Sequence, residues 1–526
     1  MDRKESENTG IRLLKKGQKG LIYALFSRLG IILALLIVQV LVLFSLFKWF
    51  AQFLPHYVGV NTVFMLCMVL YLLNSNMNST AKMTWMLLIM IAPAFGALLY
   101  LYTQQEIGHR AVKGRVTQLI GQTREAIPQD QAAMERIERE DPGTAALTHY
   151  LNRSGSFPIY ERTDVTYFPM GEKKFEEMLI QLKKAEHFIF LEYFIVDEGV
   201  MWGQILEILA QKAAEGVDVR VMYDGTCEFS TLPHDYPKRL KALGIKCKMF
   251  APVTPFVSTH YNYRDHRKIL VIDGHTAFTG GVNLADEYIN RTVKYGHWKD
   301  TAIMLKGEAV RSFTLLFLQM WYVDEKQADF DTWLNYPTNA PEDAKGYVIP
   351  YGDCPLDEDK VGESVYMDIL NRAQNYVHIM SPYLILDGEM EFALEFAAKR
   401  GVDVKLILPG IPDKKIAYAL AKTHYRALLD AGVKIYEYTP GFVHAKVFVS
   451  DDIKAVVGTI NLDYRSLYHH FECAAYMYGV SCISEIEKDF QDTLKKCRTV
   501  TEETIRHEKW TLKVMGKVAK GFAPLM

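Results

Sequence analysis

The 526-residue chain has few cysteines, almost no net charge and no nucleotide-binding loop. Its seven cysteines are odd in number and scattered without a Cys-x-x-Cys pair, which argues against a disulfide framework or a zinc site. The net charge of −2 provides no overall basic field of the kind that attracts nucleic acid. The G-x4-G-K-[S/T] phosphate loop is missing from the sequence. These absences predict a protein that needs no metal, nucleotide or other cofactor.

One signature is present twice, with identical internal spacing. His266 opens the first copy and His444 the second, and in each the same four residue types follow after 2, 7, 14 and 17 positions. A single copy would be weak evidence, but two matched copies in one chain are hard to dismiss as chance. The ten residues are His266, Lys268, Asp273, Gly280, Asn283, His444, Lys446, Asp451, Gly458 and Asn461.

Two histidines and two lysines are the groups that phosphodiester chemistry requires when no metal takes part. Imidazole titrates near neutral pH, so one histidine can attack phosphorus while the other protonates the leaving oxygen and deprotonates the incoming alcohol. Lys268 and Lys446 would neutralise the non-bridging oxygens, and Asn283 and Asn461 would add hydrogen bonds. Each His-x-Lys run leads into a strand-like stretch, where a period of two places both side chains on one face. A pair of ordinary core histidines is the alternative.

Carboxylates follow each motif at about one supersecondary unit. Asp300 lies 34 residues after the first motif's histidine, and Glu472 lies 28 residues after the second's. We predict that they orient the imidazoles by accepting a hydrogen from the far ring nitrogen, and the alternative is ordinary surface carboxylates. Asp273 and Asp451 belong to the predicted catalytic set as acceptors that brace the site. A turn-only role is their alternative, since both precede turn residues.

The two motifs resemble those of the phospholipase D superfamily, which carry H-x-K-x4-D followed by G-[G/S/T]-x-N. Within it, the chain resembles the bacterial cardiolipin synthases over about residues 83–526. The hydrophobic N-terminal region that runs directly into the motif-bearing part supports this narrower likeness. Three segments support it further, namely Gly280-Gly-Val-Asn-Leu-Ala-Asp-Glu-Tyr with Trp298-Lys-Asp300, Asn461-Leu-Asp-Tyr-Arg-Ser466, and Phe471-Glu472.

The resemblance implies that one histidine forms a phosphatidyl-enzyme intermediate while the other serves as acid and base, and it favours His266 as the nucleophile. Many superfamily members have serine where this chain has Gly281, whereas the second copy has Thr459. A hydroxyl contact to the phosphate is therefore expected from Thr459 alone. The two histidine roles need not be symmetric.

The reaction that the resemblance implies is phosphatidyl transfer, in which two phosphatidylglycerol molecules give cardiolipin and glycerol. The D-G-x2-A-R signature of the metal-dependent family that uses a CDP-lipid is missing. Hydrolysis to phosphatidic acid and transfer to another lipid alcohol are alternatives. A nuclease is disfavoured by the near-neutral charge, and an inactive membrane scaffold by the completeness of both motifs. The predicted partners are phosphatidylglycerol, other anionic phospholipids and the membrane, without nucleic acid.

Apolar runs near the N terminus predict membrane spans. Residues 29–47 and 83–102 each reach the roughly 20 residues that a bilayer requires, although the second contains Pro93. Residues 57–73 are a third, shorter candidate that carries Asn61. A buried core helix is the alternative for each run.

Basic residues on both sides of these runs predict the orientation of the protein in the cell membrane. By the positive-inside rule both flanks are cytoplasmic, which requires an even number of crossings and makes 57–73 re-entrant or part of a hairpin. We thus predict a multi-pass protein whose catalytic part faces the cytoplasm; if 57–73 spans, that part faces outward. The basic residues are Arg3, Lys4, Arg12, Lys15, Lys16, Lys19 and Arg28 before the runs, and Arg110, Lys113, Arg115 and Arg124 after them.

The rest of the chain contains one α/β pattern twice. A polar, helical connector at 105–150 precedes the halves 151–325 and 347–526, which a polar linker joins. Strand-like runs alternate with helical ones, which predicts a mostly parallel sheet in each half. We therefore predict an α/β fold of two pseudo-symmetric phospholipase D-like halves, preceded by an N-terminal transmembrane helical region over 1–104. Duplication would bring the two motifs together at one interface.

The C-terminal stretch 502–526 has an amphipathic pattern. Its lysines fall on one helical face and its large apolar residues toward the other, which fits a helix lying in a lipid interface. An ordinary packing helix is the alternative. The lysines are Lys509, Lys513, Lys517 and Lys520.

Overall fold

The computed structural model describes residues 10–13, 41, 44–45, 57–75, 77–91, 93–104, 110–252, 263–357 and 359–525. An α/β region built on two sheets follows a group of helices. Those helices are α1 (Tyr57–Leu73), α2 (Ser79–Ile91), α3 (Pro93–Gln104), α4 (Arg110–Gln122), α5 (Gln131–Glu140) and α6 (Pro142–Gly155).

The N-terminal apolar runs form shorter helices than the predicted spans. The run 83–102 is divided between α2 and α3, and α3 begins at Pro93, which has no N–H to donate to a preceding turn. The candidate 57–73 coincides with α1. Within the described ranges, no helix combines the length and the apolar character needed to cross a membrane. The predicted span 29–47 lies outside the described residues except for positions 41, 44 and 45.

The first half is built on a seven-stranded sheet in the order β1-β9-β7-β6-β2-β3-β4. Its strands are β1 (Thr163–Phe168), β2 (Phe188–Tyr193), β3 (Asp218–Asp224), β4 (Lys246–Phe250), β5 (Arg264–Asp265), β6 (Lys268–Ile272), β7 (Thr276–Gly280), β8 (His297–Lys299) and β9 (Ala302–Gly307). Its helices are α7 (Gly171–Lys183), α8 (Val200–Ala214), α9 (Cys227–Ser230), α10 (Tyr236–Lys241) and α11 (Val310–Trp321), with α12 (Asp331–Leu334) in the linker.

The second half repeats this plan in the order β10-β17-β16-β15-β11-β12-β13-β18. Its strands are β10 (Tyr347–Asp353), β11 (Tyr376–Met380), β12 (Asp403–Pro409), β13 (Lys434–Tyr438), β14 (Gly441–Val443), β15 (Val447–Ser450), β16 (Lys454–Gly458), β17 (His470–Tyr478) and β18 (Cys497–Thr499). Its helices are α13 (Val361–Arg372), α14 (Gly388–Lys399), α15 (Lys415–Asp430), α16 (Tyr464–Tyr468), α17 (Ile483–Leu494), α18 (Glu502–His507) and α19 (Trp510–Lys520).

Both sheets are mixed, so the prediction of a mostly parallel sheet in each half is wrong. Along the main path only β2-β3-β4 and β11-β12-β13 run parallel, because helices cross between these successive strands. The strand after each His-x-Lys run instead turns back tightly, β6 into β7 and β15 into β16. A tight turn can join only antiparallel strands. Asp273 and Asp451 open these turns with φ of 50° and 55°.

Helix α11 joins the two halves through one core. Every residue of this helix except Arg311 is buried, and it packs against β2 and β6 of the first half and β10 of the second. The rings of Phe190 and Phe317 stack at 4.7 Å within a hydrophobic cluster that continues into both sheets. This shared core fixes the position of one motif relative to the other.

Candidate active site

Two short parallel ladders connect the halves immediately before each motif histidine. Strand β5 pairs with the start of β17, and the backbone N–H of His266 donates to the Phe471 carbonyl at 2.9 Å. Strand β14 pairs with β8, and the N–H of His444 donates to the Lys299 carbonyl at 2.7 Å. Each ladder runs directly into a histidine on one strand and a carboxylate residue on the other. The backbone thus delivers His266 to Glu472 and His444 to Asp300.

The side chains complete this crossed arrangement. His266 Nδ1 lies 2.8 and 2.9 Å from the two oxygens of Glu472, and His444 Nδ1 lies 2.7 Å from Oδ2 of Asp300. Each carboxylate follows the motif of the opposite half, a pairing that the sequence alone does not indicate. Because Nδ1 donates to the carboxylate, Nε2 of each ring is left for the reacting phosphorus or oxygen.

Burial sets the charge states of the histidines and of Glu472. Both imidazoles and both carboxylates are buried. Burial lowers the pKa of His266 well below its usual value, and burial together with the nearby Lys446 lowers the pKa of His444 to about 4. Burial acts to raise the pKa of Glu472, but its interaction with His266, which donates from Nδ1 to the carboxylate, outweighs burial and holds that pKa below the usual value. At neutral pH the site therefore contains neutral imidazoles, and His266 faces an ionised carboxylate.

The motif lysines place two buried amino groups beside the histidines. Lys268 Nζ donates to the His266 carbonyl at 2.5 Å, while Lys446 Nζ donates to the His444 carbonyl and lies 2.9 Å from its Nδ1. Burial lowers the pKa of Lys268 to about 8 and of Lys446 to about 7. Among the described residues neither lysine has an ion-pair partner within 4.0 Å, so both are available to an anion.

The residues that directly follow the two motif glycines determine the surroundings of the two orienting carboxylates. The Thr459 hydroxyl donates to Glu472 and accepts from the Cys473 N–H at 3.0 Å, so the hydroxyl expected at the phosphate is engaged with the carboxylate. At Gly281 an added Cβ would lie 2.0 Å from Oδ1 of Asp300. Glycine leaves the space that Asp300 occupies there.

The two motif asparagines are not equivalent. Asn283 Oδ1 accepts from the Ile195 N–H at 3.1 Å, and its Nδ2 donates to the Tyr288 hydroxyl at 2.8 Å. Asn461 Oδ1 is buried and meets no hydrogen-bond partner in the part of the chain that the structure describes. Asn283 therefore braces the loop around it, whereas Asn461 retains a polar atom for a ligand.

Asp273 and Asp451 lie away from the histidines, which corrects their inclusion in the predicted catalytic set. Asp273 follows the five-residue β6, so it lies roughly 16 Å from the start of that strand. Each carboxylate accepts three backbone N–H groups at 2.7–2.9 Å, which holds the start of the first parallel strand of its half. The donors are Glu186, His187 and Phe188 in the first half and Gln374, Asn375 and Tyr376 in the second.

Sequence reasoning missed a third buried lysine near the site. Lys174 Nζ donates to the Tyr193 hydroxyl at 3.1 Å and to the Val282 carbonyl at 3.2 Å. Burial lowers its pKa to about 7, against the opposing charge of Asp300. No sequence signal distinguishes it from its neighbour Lys173, because both are lysines on one amphipathic helix.

Rings that the sequence analysis also missed surround both imidazoles. Around His444, the ring centroids of Tyr288, Trp298 and Phe442 lie at 5.4, 5.4 and 5.9 Å. Together these rings form aromatic walls around the imidazole. Around His266, Phe194 and His470 lie at 4.9 and 5.4 Å, and the signal for His470 was its place two residues before Glu472.

One group of described residues has the spacing of a metal site. His266, His470 and Glu472 place a ligand atom each within 4.8 Å of one another. Both oxygens of Glu472 are hydrogen-bonded to His266, and Thr459 donates to one of them. A metal ion would have to replace these bonds.

Comparison with known proteins identifies the family. The family model described as "Cardiolipin synthase, PLD-like domain" matches residues 178–321 and 366–494. An uncharacterized protein of Streptococcus mutans is 60% identical over 87% of this chain and 99% of its own length. The cardiolipin synthase of Halalkalibacterium halodurans is 31% identical over 95% of this chain and 100% of its own length.

A solved structure supports the fold. Phosphatidylserine synthase from Haemophilus influenzae superimposes with a TM-score of 0.55 at 14% identity, over 73% of this chain and 97% of that protein. At this identity the likeness concerns the fold alone. The family model and the curated relatives show that the chain belongs to the cardiolipin synthase family of phospholipase D-like enzymes and is a phosphatidyltransferase.

Proposed function

We propose that the protein transfers the phosphatidyl group of one phosphatidylglycerol to the hydroxyl of a second, giving cardiolipin and glycerol. The pairing of each imidazole with a carboxylate of the opposite half supports this proposal most directly. Each ring is fixed through Nδ1 by a buried carboxylate, and two buried lysines stand beside them, neither in an ion pair with a described residue. This set supplies a nucleophile, a proton carrier and two cations for one phosphodiester.

In the first step, Nε2 of His266 attacks phosphorus, and the bond from phosphorus to the glycerol oxygen breaks. His444 gives its Nε2 proton to that oxygen, and glycerol leaves. Burial keeps His444 neutral in the free enzyme with a pKa of about 4. A bound phosphodiester anion favours the imidazolium form, and Asp300 holds that ring in place.

In the second step, the headgroup hydroxyl of another phosphatidylglycerol replaces glycerol. His444 removes its proton, the new oxygen bonds to phosphorus, and the phosphorus–nitrogen bond to His266 breaks. One diester replaces another, so no nucleotide energy is consumed. The aromatic walls around His444 favour a lipid alcohol over water as the acceptor. Hydrolysis to phosphatidic acid and transfer to another lipid alcohol use the same residues.

We infer that α19 faces a lipid surface. Trp510, Val514 and Val518 are 73%, 50% and 59% exposed at intervals of four residues, whereas Gly516 and Ala519 are buried. Gly516 lies so close to α15 that an added Cβ would meet the Ala419 carbonyl at 2.2 Å. The outward apolar stripe, accompanied by exposed lysines, suits anionic lipid headgroups.

Helix α2 extends this apolar surface. The Thr84 hydroxyl donates to the Gly521 carbonyl at 2.9 Å, which fixes α2 beside the end of α19. Its outer face exposes large apolar side chains at helical spacing, namely Met83, Leu87, Met90 and Ile91. These contacts support a membrane-bound enzyme; its multi-pass topology and cytoplasmic orientation remain predictions from the sequence.

The test uses the full chain in membranes with labelled phosphatidylglycerol, without nucleotide or added metal, followed by separation of the lipids. We expect cardiolipin and free glycerol in equal amounts. Phosphatidic acid alone would establish a hydrolase, and no lipid product would contradict the proposal. His266→Ala and His444→Ala should each abolish turnover while circular dichroism shows that the fold is intact, and near-full activity in either would exclude the two-histidine mechanism.

A further inference from the structure

A third imidazole at the site, that of His470, has no hydrogen-bond partner among the described residues. His470 is 6% exposed, and both its ring nitrogens are buried and unpaired. Its Nδ1 lies 3.6 Å from Oε1 of Glu472, too long for a hydrogen bond, and its ring lies 5.4 Å from that of His266. Because nearly all buried polar groups in native proteins are paired, an unpaired one at a reacting centre points to a ligand.

His470 occupies a position at which the two halves differ. It stands two residues before Glu472, as Trp298 stands two residues before Asp300, so in each half the side chain shares a face with the orienting carboxylate. Both rings lie 5.4 Å from the imidazole that the carboxylate holds. One flank of the pseudo-two-fold site is therefore an indole, and the other is a ring that can donate and accept hydrogen bonds.

We propose that His470 binds the polar headgroup of the lipid substrate, with a ring N–H donating to an oxygen of the phosphodiester or of its glycerol. This inference rests on the proposed function, which makes that headgroup the ligand of the site. Glu472 accepts hydrogen bonds from His266 and Thr459, and its Oε1 lies 3.6 Å from His470 Nδ1, beyond hydrogen-bond distance, so that ring nitrogen remains open to a ligand. His470 contacts the substrate and takes no part in proton transfer.

The test compares His470→Phe, which removes both nitrogens at similar size, with His470→Asn, which keeps a hydrogen-bond donor. Rates of cardiolipin formation by the full chain are measured against phosphatidylglycerol mole fraction in vesicles. We expect kcat/KM to fall about tenfold to hundredfold in H470F, the size of one hydrogen bond to a charged group, and only a few-fold in H470N. His149→Phe, at an exposed imidazole on α6, is the control.

Thermal unfolding separates substrate binding from a structural role. Since neither ring nitrogen of His470 makes a hydrogen bond to a described residue, phenylalanine should leave the melting temperature unchanged or raise it. Unchanged activity in H470F, a melting temperature that falls with activity, or equal loss in H470N would each overturn the inference. If the wild type makes no cardiolipin, the proposed function fails instead.

A second phosphatidyl donor shows whether His470 contacts a phosphate oxygen or a hydroxyl of the glycerol headgroup. Phosphatidylethanol has the same phosphodiester but no headgroup hydroxyls. A defect of H470F that is equal with both donors assigns the contact to phosphate, and a defect that disappears with phosphatidylethanol assigns it to a hydroxyl. Both results support His470 as a headgroup ligand.

Discussion

The crossed carboxylates give the sharpest prediction. Glu472→Gln and Asp300→Asn each keep the shape of the side chain but remove the charge that holds an imidazole of the opposite half. A hydrogen bond to a charged group contributes about 1.5–3 kcal/mol net, roughly twice a neutral one. An amide can also present its NH2 to Nδ1 and select the wrong tautomer, which in the serine protease triad costs about 10⁴ in rate. We therefore expect each variant to lose about 10²–10⁴ in kcat.

A phosphatidyl substrate with a nitrophenol leaving group can show which histidine each carboxylate serves. Such a leaving group needs no proton, so the histidine that attacks phosphorus still releases one equivalent of nitrophenolate when the acid-base histidine is absent. With His266 as the nucleophile, His444→Ala should retain this burst. In the H444A background, D300N should not slow the burst further, because the imidazole that Asp300 holds has been removed. E472Q should slow the burst by about 10²–10⁴.

The opposite pattern would refute the crossing. If D300N slows the burst of H444A and E472Q does not, each carboxylate serves the histidine of its own half. If His266→Ala retains the burst instead, the histidine roles are exchanged, and the same double variants are compared in that background. Melting temperatures of all variants control for loss of the fold.

Three further predictions concern stability, pH and the lipid surface. Asp273→Ala leaves three backbone N–H groups without an acceptor, so denaturant unfolding should show a loss of about 2–4 kcal/mol with KM unchanged; unchanged stability would contradict the bracing role. Lys446, with a pKa of about 7, loses its charge as pH rises, so kcat/KM should fall through pH 7–8, and Lys446→Arg should move this fall to higher pH; an unmoved profile would exclude Lys446 as its cause. Serine at Trp510, Val514 and Val518 together should slow turnover of vesicle phosphatidylglycerol about tenfold and leave turnover of a monomeric short-chain analogue unchanged. Ile180→Ser, at an exposed residue of α7, is the control, and equal effects on both substrates would exclude a lipid-facing role.

Much of the chemistry was predictable because the motif is local. His, Lys, Gly and Asn at fixed intervals encode a strand, a tight turn and a returning strand, and the duplication of that unit indicated two equivalent halves around one site. The turn between the two strands was also a sequence signal for antiparallel pairing, and therefore for a mixed sheet. Asp273 and Gly274 adopt positive φ and reverse the chain, and such a reversal makes β6 and β7 antiparallel.

The tertiary structure alone decided which groups meet. His266 and Glu472 are separated by 206 residues, and His444 and Asp300 by 144, so their pairing depends on the ladders β5–β17 and β14–β8 and on the core around α11. The sequence by itself determined which residues could carry phosphodiester chemistry, since residue type and local spacing fix chemical capacity. Only the fold decided that each imidazole is held by the other half and that His470 stands beside His266 without a hydrogen bond to a described residue, because burial and contact arise from packing between distant segments.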